Sequence, residues 1–264
     1  MPGLEKAEKV WYDVRRLAGA VPQRKHKIGI WRELMLGIIG AMEEEITGLK
    51  EGMTVQRQLK KASMEFWQGL LGEKAVVVVR CGIGKVNAAI CAQILVDEFG
   101  VDAIVNTGIA GSLRSEINIG DIVLSTDAVQ HDMDATGFGY EYGVIPRMET
   151  SVFQADENLA ALAKECCERV NPEISVFNGR IVSGDQFISD REKKDWILGQ
   201  FHGFCTEMEG AAIAQAAYLN HVPFLIVRAI SDKADNSASM DYAEFERKAI
   251  EHSVKLMTEM AKSW

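Results

Sequence analysis

No apolar run in the chain is long enough to cross a bilayer; the longest, at 75–79 and 224–227, are strand-length. The five cysteines (Cys81, Cys91, Cys166, Cys167 and Cys205) form an odd set without CxxC spacing, so reduced thiols in a cytoplasmic protein are expected. Basic charge is also scarce. There are 29 Lys and Arg against 38 Asp and Glu, a formal charge of -9, and no basic stripe interleaved with aromatics. That argues against nucleic acid as a partner and leaves a phosphate-free nucleoside open. His131-Asp132-Met133-Asp134 has no second histidine at ligand spacing, so a satisfied loop cluster is expected there and no metal.

What is present fits one sizeable α/β unit: 264 residues, 47% of them hydrophobic. Charge is uneven, with eight basic and four acidic residues in 1–34 and 21 against 34 in 35–264. The basic start lacks the continuous apolar core of a secretory signal. It reads as a short helix (4–17) with a linker (22–27), or as the product of an upstream start, because Met35 opens the folded pattern. Residues 1–34 are therefore expected to be a peripheral extension without a part in catalysis, and 35–264 the folded domain.

From Met35 onward apolar strands alternate with helical stretches. Strands are predicted at 35–41, 54–60, 64–71, 74–80, 102–107, 121–130, 175–183 and 223–230. Helices are predicted at 43–51, 85–99, 156–170, 190–199, 209–220 and 240–261. An early meander followed by βα units implies a three-layer α/β/α domain, its central sheet mixed and covered by helices on both faces.

Ligands of such sheets collect at the carboxyl ends of strands, and there the chain places acids. Leu36-Gly-Ile-Ile-Gly-Ala-Met42 runs into Glu43, Glu44 and Glu45; Phe224-Leu-Ile-Val-Arg-Ala-Ile230 runs into Ser231 and Asp232; Glu207-Met208-Glu209 precedes a helix. The helix macrodipole alone accounts for Glu43 and Glu44, and a turn cap is an alternative for Asp232. Gly82-Ile83-Gly84-Lys85 turns a strand into a helix whose amides can face a ligand, without the spacing of a Walker loop. Asn106-Thr-Gly-Ile-Ala-Gly111 reads as a second glycine-bearing strand end. Gly137-Phe-Gly-Tyr-Glu-Tyr-Gly143, with Pro146, reads as an exposed aromatic loop forming a pocket wall or a subunit contact.

Taken together, these segments resemble the 5'-methylthioadenosine/S-adenosylhomocysteine nucleosidases of the nucleoside phosphorylase and hydrolase family. The resemblance rests on Gly37-Ile-Ile-Gly-Ala-Met-Glu-Glu-Glu45, Cys81-Gly-Ile-Gly-Lys-Val86, Asn106-Thr-Gly-Ile-Ala-Gly111 and His131-Asp-Met-Asp134. It continues through Phe138-Gly-Tyr-Glu-Tyr-Gly143, Val182-Ser-Gly-Asp-Gln-Phe-Ile188, Glu207-Met-Glu209 and Val227-Arg-Ala-Ile-Ser-Asp232, and covers 35–264 in order.

The resemblance implies a nucleoside phosphorylase-like fold and a homodimer that hydrolyses the N-glycosidic bond of 5'-thioadenosine nucleosides without a cofactor. It implies Asp232 as the acid that protonates adenine N7 and Glu45 as the residue that activates water. Glu209 then binds the ribose hydroxyls, with Met208 under the sugar and Ser231 beside the acid, while Arg228 helps hold the water and carboxylates. Phe187 stacks on adenine and the Ile188 backbone reads its edge. Met42, Ile83 and Tyr242 line the 5'-thio pocket, and Phe138 and Pro146 reach across from the neighbouring subunit. Two positions depart from the family: Ile109, where serine is frequent, and Tyr242, where phenylalanine is, implying one water contact fewer and a slightly more polar thio pocket.

The chemistry has its own logic. Cleaving the bond between a sugar and a purine leaves an anionic base and an oxocarbenium-like sugar, so one acid is needed by the base and one carboxylate by the sugar. A phosphorylase of the same fold is the nearest alternative, but its phosphate would be repelled by the acids after the first strand. Hydrolases of AMP or futalosine-type nucleosides are further alternatives, and AMP calls for a basic clamp that the sequence does not offer. A non-catalytic nucleoside sensor predicts loss of Glu45, Glu209 or Asp232, and all three are present.

Overall fold

The structure, a computed structural model, describes residues 33–235 and 238–264, and side chains among these outside 238–244. The predicted features of residues 1–32 lie outside the described residues. The chain opens with β1 (Met35–Gly40) and α1 (Glu43–Glu51), then a meander of β2 (Met53–Lys61), β3 (Met64–Leu71) and β4 (Lys74–Arg80). There follow α2 (Lys85–Ile94), β5 (Ala103–Ser112), β6 (Ile122–Gln130), β7 (Phe153–Gln154), α3 (Glu157–Val170) and β8 (Val176–Ser183). The last elements are α4 (Arg191–Phe201), β9 (Cys205–Glu207), α5 (Gly210–Leu219), β10 (Phe224–Asp232) and α6 (Ala238–Ser263). None of the described helices is long and apolar enough to cross a membrane.

The central strands are apolar on both faces because both faces are covered. In β1, Leu36 and Ile38 pack with Ile46 and Leu49 of α1 and with Leu256, Met257 and Met260 of α6, whereas Ile39 packs with Ala88, Cys91 and Ala92 of α2 and the alanines of α5. Val76 and Val78 of β4 join the first layer, Val77 and Val79 the second. Each Val, Leu, Ile or Met side chain so removed from water stabilises the fold by about 1.5–3 kcal/mol.

β1 lies between β4 and β5, parallel to both, and β5 is parallel to β10. Beyond β10 the order is β6, β8 and β9, and β9 returns to pair antiparallel with the end of β5 at Gly111 and Ser112. The mixed sheet therefore closes a ring of β5, β10, β6, β8 and β9, with β1, β4, β3 and β2 as an open wing. The expected layers are present, but ring closure depends on β9, a three-residue strand too short to show a period.

Two further boundaries differ from the expectation. The predicted helix at 85–99 is α2 followed by a single π-helical stretch, Leu95–Phe99, ended by left-handed Gly100. The glycine-bearing segment 106–111 is no turn: β5 continues through it to Ser112.

Candidate active site

The continuation of β5 has a steric reason. A Cβ on Gly108 would lie 2.8 Å from Glu45 Oε1 and 3.4 Å from Arg228 Nη1, and one on Gly111 would lie 2.7 Å from Asp232 Oδ1. These glycines serve close approach of acids to a strand rather than a turn. The acids and neighbouring residues line a cavity of about 490 Å³, walled by Met42, Ile83, Ile109, Phe187, Met208, Ser231, Glu45, Glu207, Glu209 and Asp232, among others. A small annex adds Ile188 beside Phe187, Thr206 and Asp232.

Glu45 sits in the first turn of α1 and is buried. Its Oε2 accepts the N–H of Ala41 at 2.7 Å and of Met42 at 3.0 Å, the backward half of a capping box, and its Oε1 accepts Ile109 N–H at 3.2 Å. Burial raises its pKa above the ordinary carboxylate value, outweighing those amides and the charge of Arg228. Glu43 and Glu44 behave as helix-terminal acids: Glu43 bonds Lys50 on its own helix and Glu44 is exposed.

Glu209 accepts Gly84 N–H at 2.8 Å, so the amide at the start of α2 faces a protein carboxylate. Burial first, then the charge of Glu207, pushes its pKa up to about 7, against the pull of Arg228. Two residues away Glu207 is held below the ordinary range: burial works against it, but Arg228, the Ser183 hydroxyl and backbone amides outweigh that. Its Oε2 takes the N–H of Glu209 at 3.1 Å and Gly210 at 2.7 Å. Sequence reasoning treated Glu207 only as part of a triplet. Strand alternation could not have found it, because Glu207 ends β9 while Glu209 is already the N-cap of α5.

Asp232 ends β10 where the pairing with β5 shifts register between Ile230 and Asp232, a bulge of the kind that re-aims a side chain. Its Oδ1 accepts Ala234 N–H at 2.7 Å and its Oδ2 the Ser231 hydroxyl at 2.9 Å. Turn capping and cavity lining are thus both true of this residue.

Arg228, expected to help hold the water and carboxylates, does bond a carboxylate, that of Glu207. The residue is 1% exposed and is not among those lining the cavity. It lies beneath, bonded to Glu207, to the Asn106 side chain, to Asn106 O at 3.3 Å and to Val227 O at 2.9 Å. A cation there offsets the negative charge of the acids above it.

Ile83 and Phe187, at the cavity mouth, are 56% and 51% exposed. Phe138 is 86% exposed, and neither it nor Pro146 lines this chain's cavity. Tyr242 lies on α6, and its side chain is outside the described residues. In the His131–Asp134 loop, Asp132 bonds Lys85 Nζ at 2.6 Å and Asp185 N–H at 2.9 Å, and Asp134 bonds Thr136. Among the described residues no group of three His, Cys, Asp or Glu is placed to hold a metal ion. The cysteines are all buried thiols.

A buried acidic cavity at the carboxyl ends of β1, β5 and β10 in a ring-closed α/β sheet defines the class. The family model described as the phosphorylase superfamily matches residues 35–262. A 5'-methylthioadenosine/S-adenosylhomocysteine nucleosidase of Staphylococcus carnosus is 45% identical over 230 residues, 87% of this chain and all of the relative. The nucleosidase of that name from Neisseria meningitidis, solved with methylthio-immucillin-A, is 38% identical with a TM-score of 0.83 over 87% of this chain and 99% of the other. A futalosine hydrolase of Helicobacter pylori is 33% identical, with a TM-score of 0.82 over 88% of this chain and 98% of the other. The chain belongs to the phosphorylase superfamily and, within it, to the 5'-methylthioadenosine/S-adenosylhomocysteine nucleosidases.

Proposed function

We propose that the chain hydrolyses the N-glycosidic bond of 5'-methylthioadenosine and S-adenosylhomocysteine, giving adenine and 5-methylthioribose or S-ribosylhomocysteine. One observation carries this: four acidic residues and, among the described residues, no basic one line the cavity. A phosphate nucleophile needs cationic donors at that wall, and water does not. In phosphate-free buffer, methylthioadenosine is expected to give free thioribose at full rate. Dependence on phosphate with formation of a ribose 1-phosphate overturns the reading in favour of a phosphorylase.

In this reading Asp232 protonates adenine N7, and Glu45 activates the attacking water. Glu209 accepts the ribose hydroxyls over Met208, Phe187 stacks on the base, and the Ile188 backbone reads its edge. Met42, Ile83 and Tyr242 receive the 5'-thio group. Arg228 is a positioning residue that holds Glu207 beneath the sugar site. The reaction needs no cofactor.

The Glu209 carboxyl has a consequence in pH. With its pKa up at about 7, the free enzyme carries a proton there at lower pH and loses the acceptor for the ribose hydroxyls. kcat/KM is therefore expected to fall as pH drops through about 7, since that parameter reports the free enzyme. Glu209→Gln should abolish this limb while lowering activity throughout; an unchanged limb at the same pH assigns it to another group.

A homodimer completes the reading. Val86 and Ile90 stand 70% and 42% exposed one turn apart on α2, near the half-exposed Ile83 and Phe187 at the cavity mouth. Such a patch beside a site calls for a partner, and a second copy can supply Phe138 and Pro146. Sedimentation at assay concentration is expected to show a dimer, for the full chain and for one starting at Met35, with turnover nearly unchanged by the truncation. A fully active monomer refutes the shared site, and a large loss on truncation refutes a peripheral role for residues 1–34. The buried thiols fit a reducing cytoplasm, and the products fit methionine salvage.

A further inference from the structure

The sequence singled out His131-Asp132-Met133-Asp134, and neither metal nor substrate accounts for it. Asp132 sits between two parts of the cavity wall that come from distant stretches of chain. Its Oδ1 accepts Lys85 Nζ at 2.6 Å and its Oδ2 accepts Asp185 N–H at 2.9 Å. Asp185 closes the ring, because its own Oδ1 accepts the backbone N–H of Lys85 at 2.8 Å. One step back from Lys85, Gly84 N–H holds Glu209; two steps on from Asp185, Phe187 stands at the mouth.

We propose that Asp132 is a positioning residue which, through Lys85 and Asp185, fixes the spacing between the start of α2 that faces Glu209 and the 185–188 wall that carries Phe187. The inference rests on the reading of Phe187 as the stacking surface for the base.

Three further observations support it. Lys85 Nζ also bonds Gln130 Oε1 at 2.9 Å, so the ammonium is anchored at the end of β6 as well as by Asp132. The ring of His131 packs against the wall's root, where a Cβ on Gly184 would lie 2.4 Å from it. Both the Lys85 and Asp132 side chains are largely shielded, at 18% and 17% exposure. Charge-assisted bonds so shielded hold geometry better than those in open water. Burial works against the Asp132 carboxylate, yet Lys85 and the Asp185 amide keep its pKa below the ordinary value.

The test is the inhibition constant of adenine, which reads the base pocket alone, in the wild type, Asp132→Asn, Phe187→Ala and the double variant. Asp132→Asn cannot satisfy both donors as an anion, and the wall shifts; adenine affinity is expected to fall about tenfold or more, as for other small misplacements of a binding group. Phe187→Ala should lose affinity too, and the double variant should lose less than the two single losses combined, because part of the Asp132 effect acts through Phe187. Lys85→Met, which keeps the backbone bond to Asp185, should repeat the pattern if Asp132→Asn does not fold. Unchanged adenine affinity in Asp132→Asn or Lys85→Met, or losses that add in the double variant, overturns the proposal while leaving the stacking reading intact. Unchanged affinity in Phe187→Ala removes the stacking reading and this proposal with it.

Discussion

Asp232→Asn is expected to lower turnover of methylthioadenosine by roughly 10²- to 10⁴-fold, the usual cost of losing a general acid. The carboxyl lines the cavity at the bulged end of β10, where Ser231 and the Ala234 amide hold it in place. Asparagine preserves the acceptor for Ala234 N–H but has no proton to give to a leaving purine. A riboside with a nitrophenolate leaving group needs none, so much of the lost rate should return on that substrate. Glu45→Gln should show the contrasting pattern, because water activation and stabilisation of the sugar cation are required whatever leaves. Its loss should persist on the activated substrate. Equal losses for both variants on both substrates would show that Asp232 is structural or binds the base without donating a proton.

Arg228→Met should produce the largest loss of stability. The substitution leaves Glu207 as a buried carboxylate without its cation; removing one partner of a buried pair typically costs about 3–5 kcal/mol. For a domain of this size that corresponds to a drop of roughly 10 °C in Tm. Arg228→Met with Glu207→Gln should recover part of the loss, since neither charge is then stranded. The same cation holds down the pKa of Glu209 and of Glu45. Where Arg228→Met stays folded, the acidic limb of kcat/KM should therefore move to higher pH. Thermal unfolding of the three proteins decides the matter: a single variant as stable as the wild type would mean that Glu207 takes up a proton at no cost and that the ion pair is dispensable.

The two predictions differ in how visible their residues are in the sequence. Asp232 and Glu45 each follow a short apolar strand, and an acid at that point is conspicuous because strand periodicity is a local property. Arg228 lies inside a strand with apolar neighbours, and its destination beneath the cavity depends on Glu207 and Asn106 arriving from two other strands. That it holds carboxylates was expected; that it does so fully buried, bonded to Glu207 and Asn106, was not visible in the sequence. Gly108 and Gly111 were open to misreading. Two glycines three positions apart suggest a strand giving way to a turn, but here they make room for carboxyl groups contributed by α1 and β10. Asp132 and Asp134 were legible as satisfied loop residues, though not the bond from Asp132 to the start of α2. His131 departs from that expectation: both its buried ring nitrogens lack a hydrogen-bond partner.

What the sequence by itself determined is the order of the longer strands and the helices, though not the short β7 and β9, the coverage of both sheet faces and the presence of acids at strand ends, since each follows from spacing along a few consecutive residues. Only the tertiary structure decided that the sheet closes through three-residue β9, that Glu207 and Glu209 have pKa values moved in opposite directions, and that Arg228 lies under the cavity floor. Those outcomes depend on distances between groups far apart in the chain, and burial and charge act through distance.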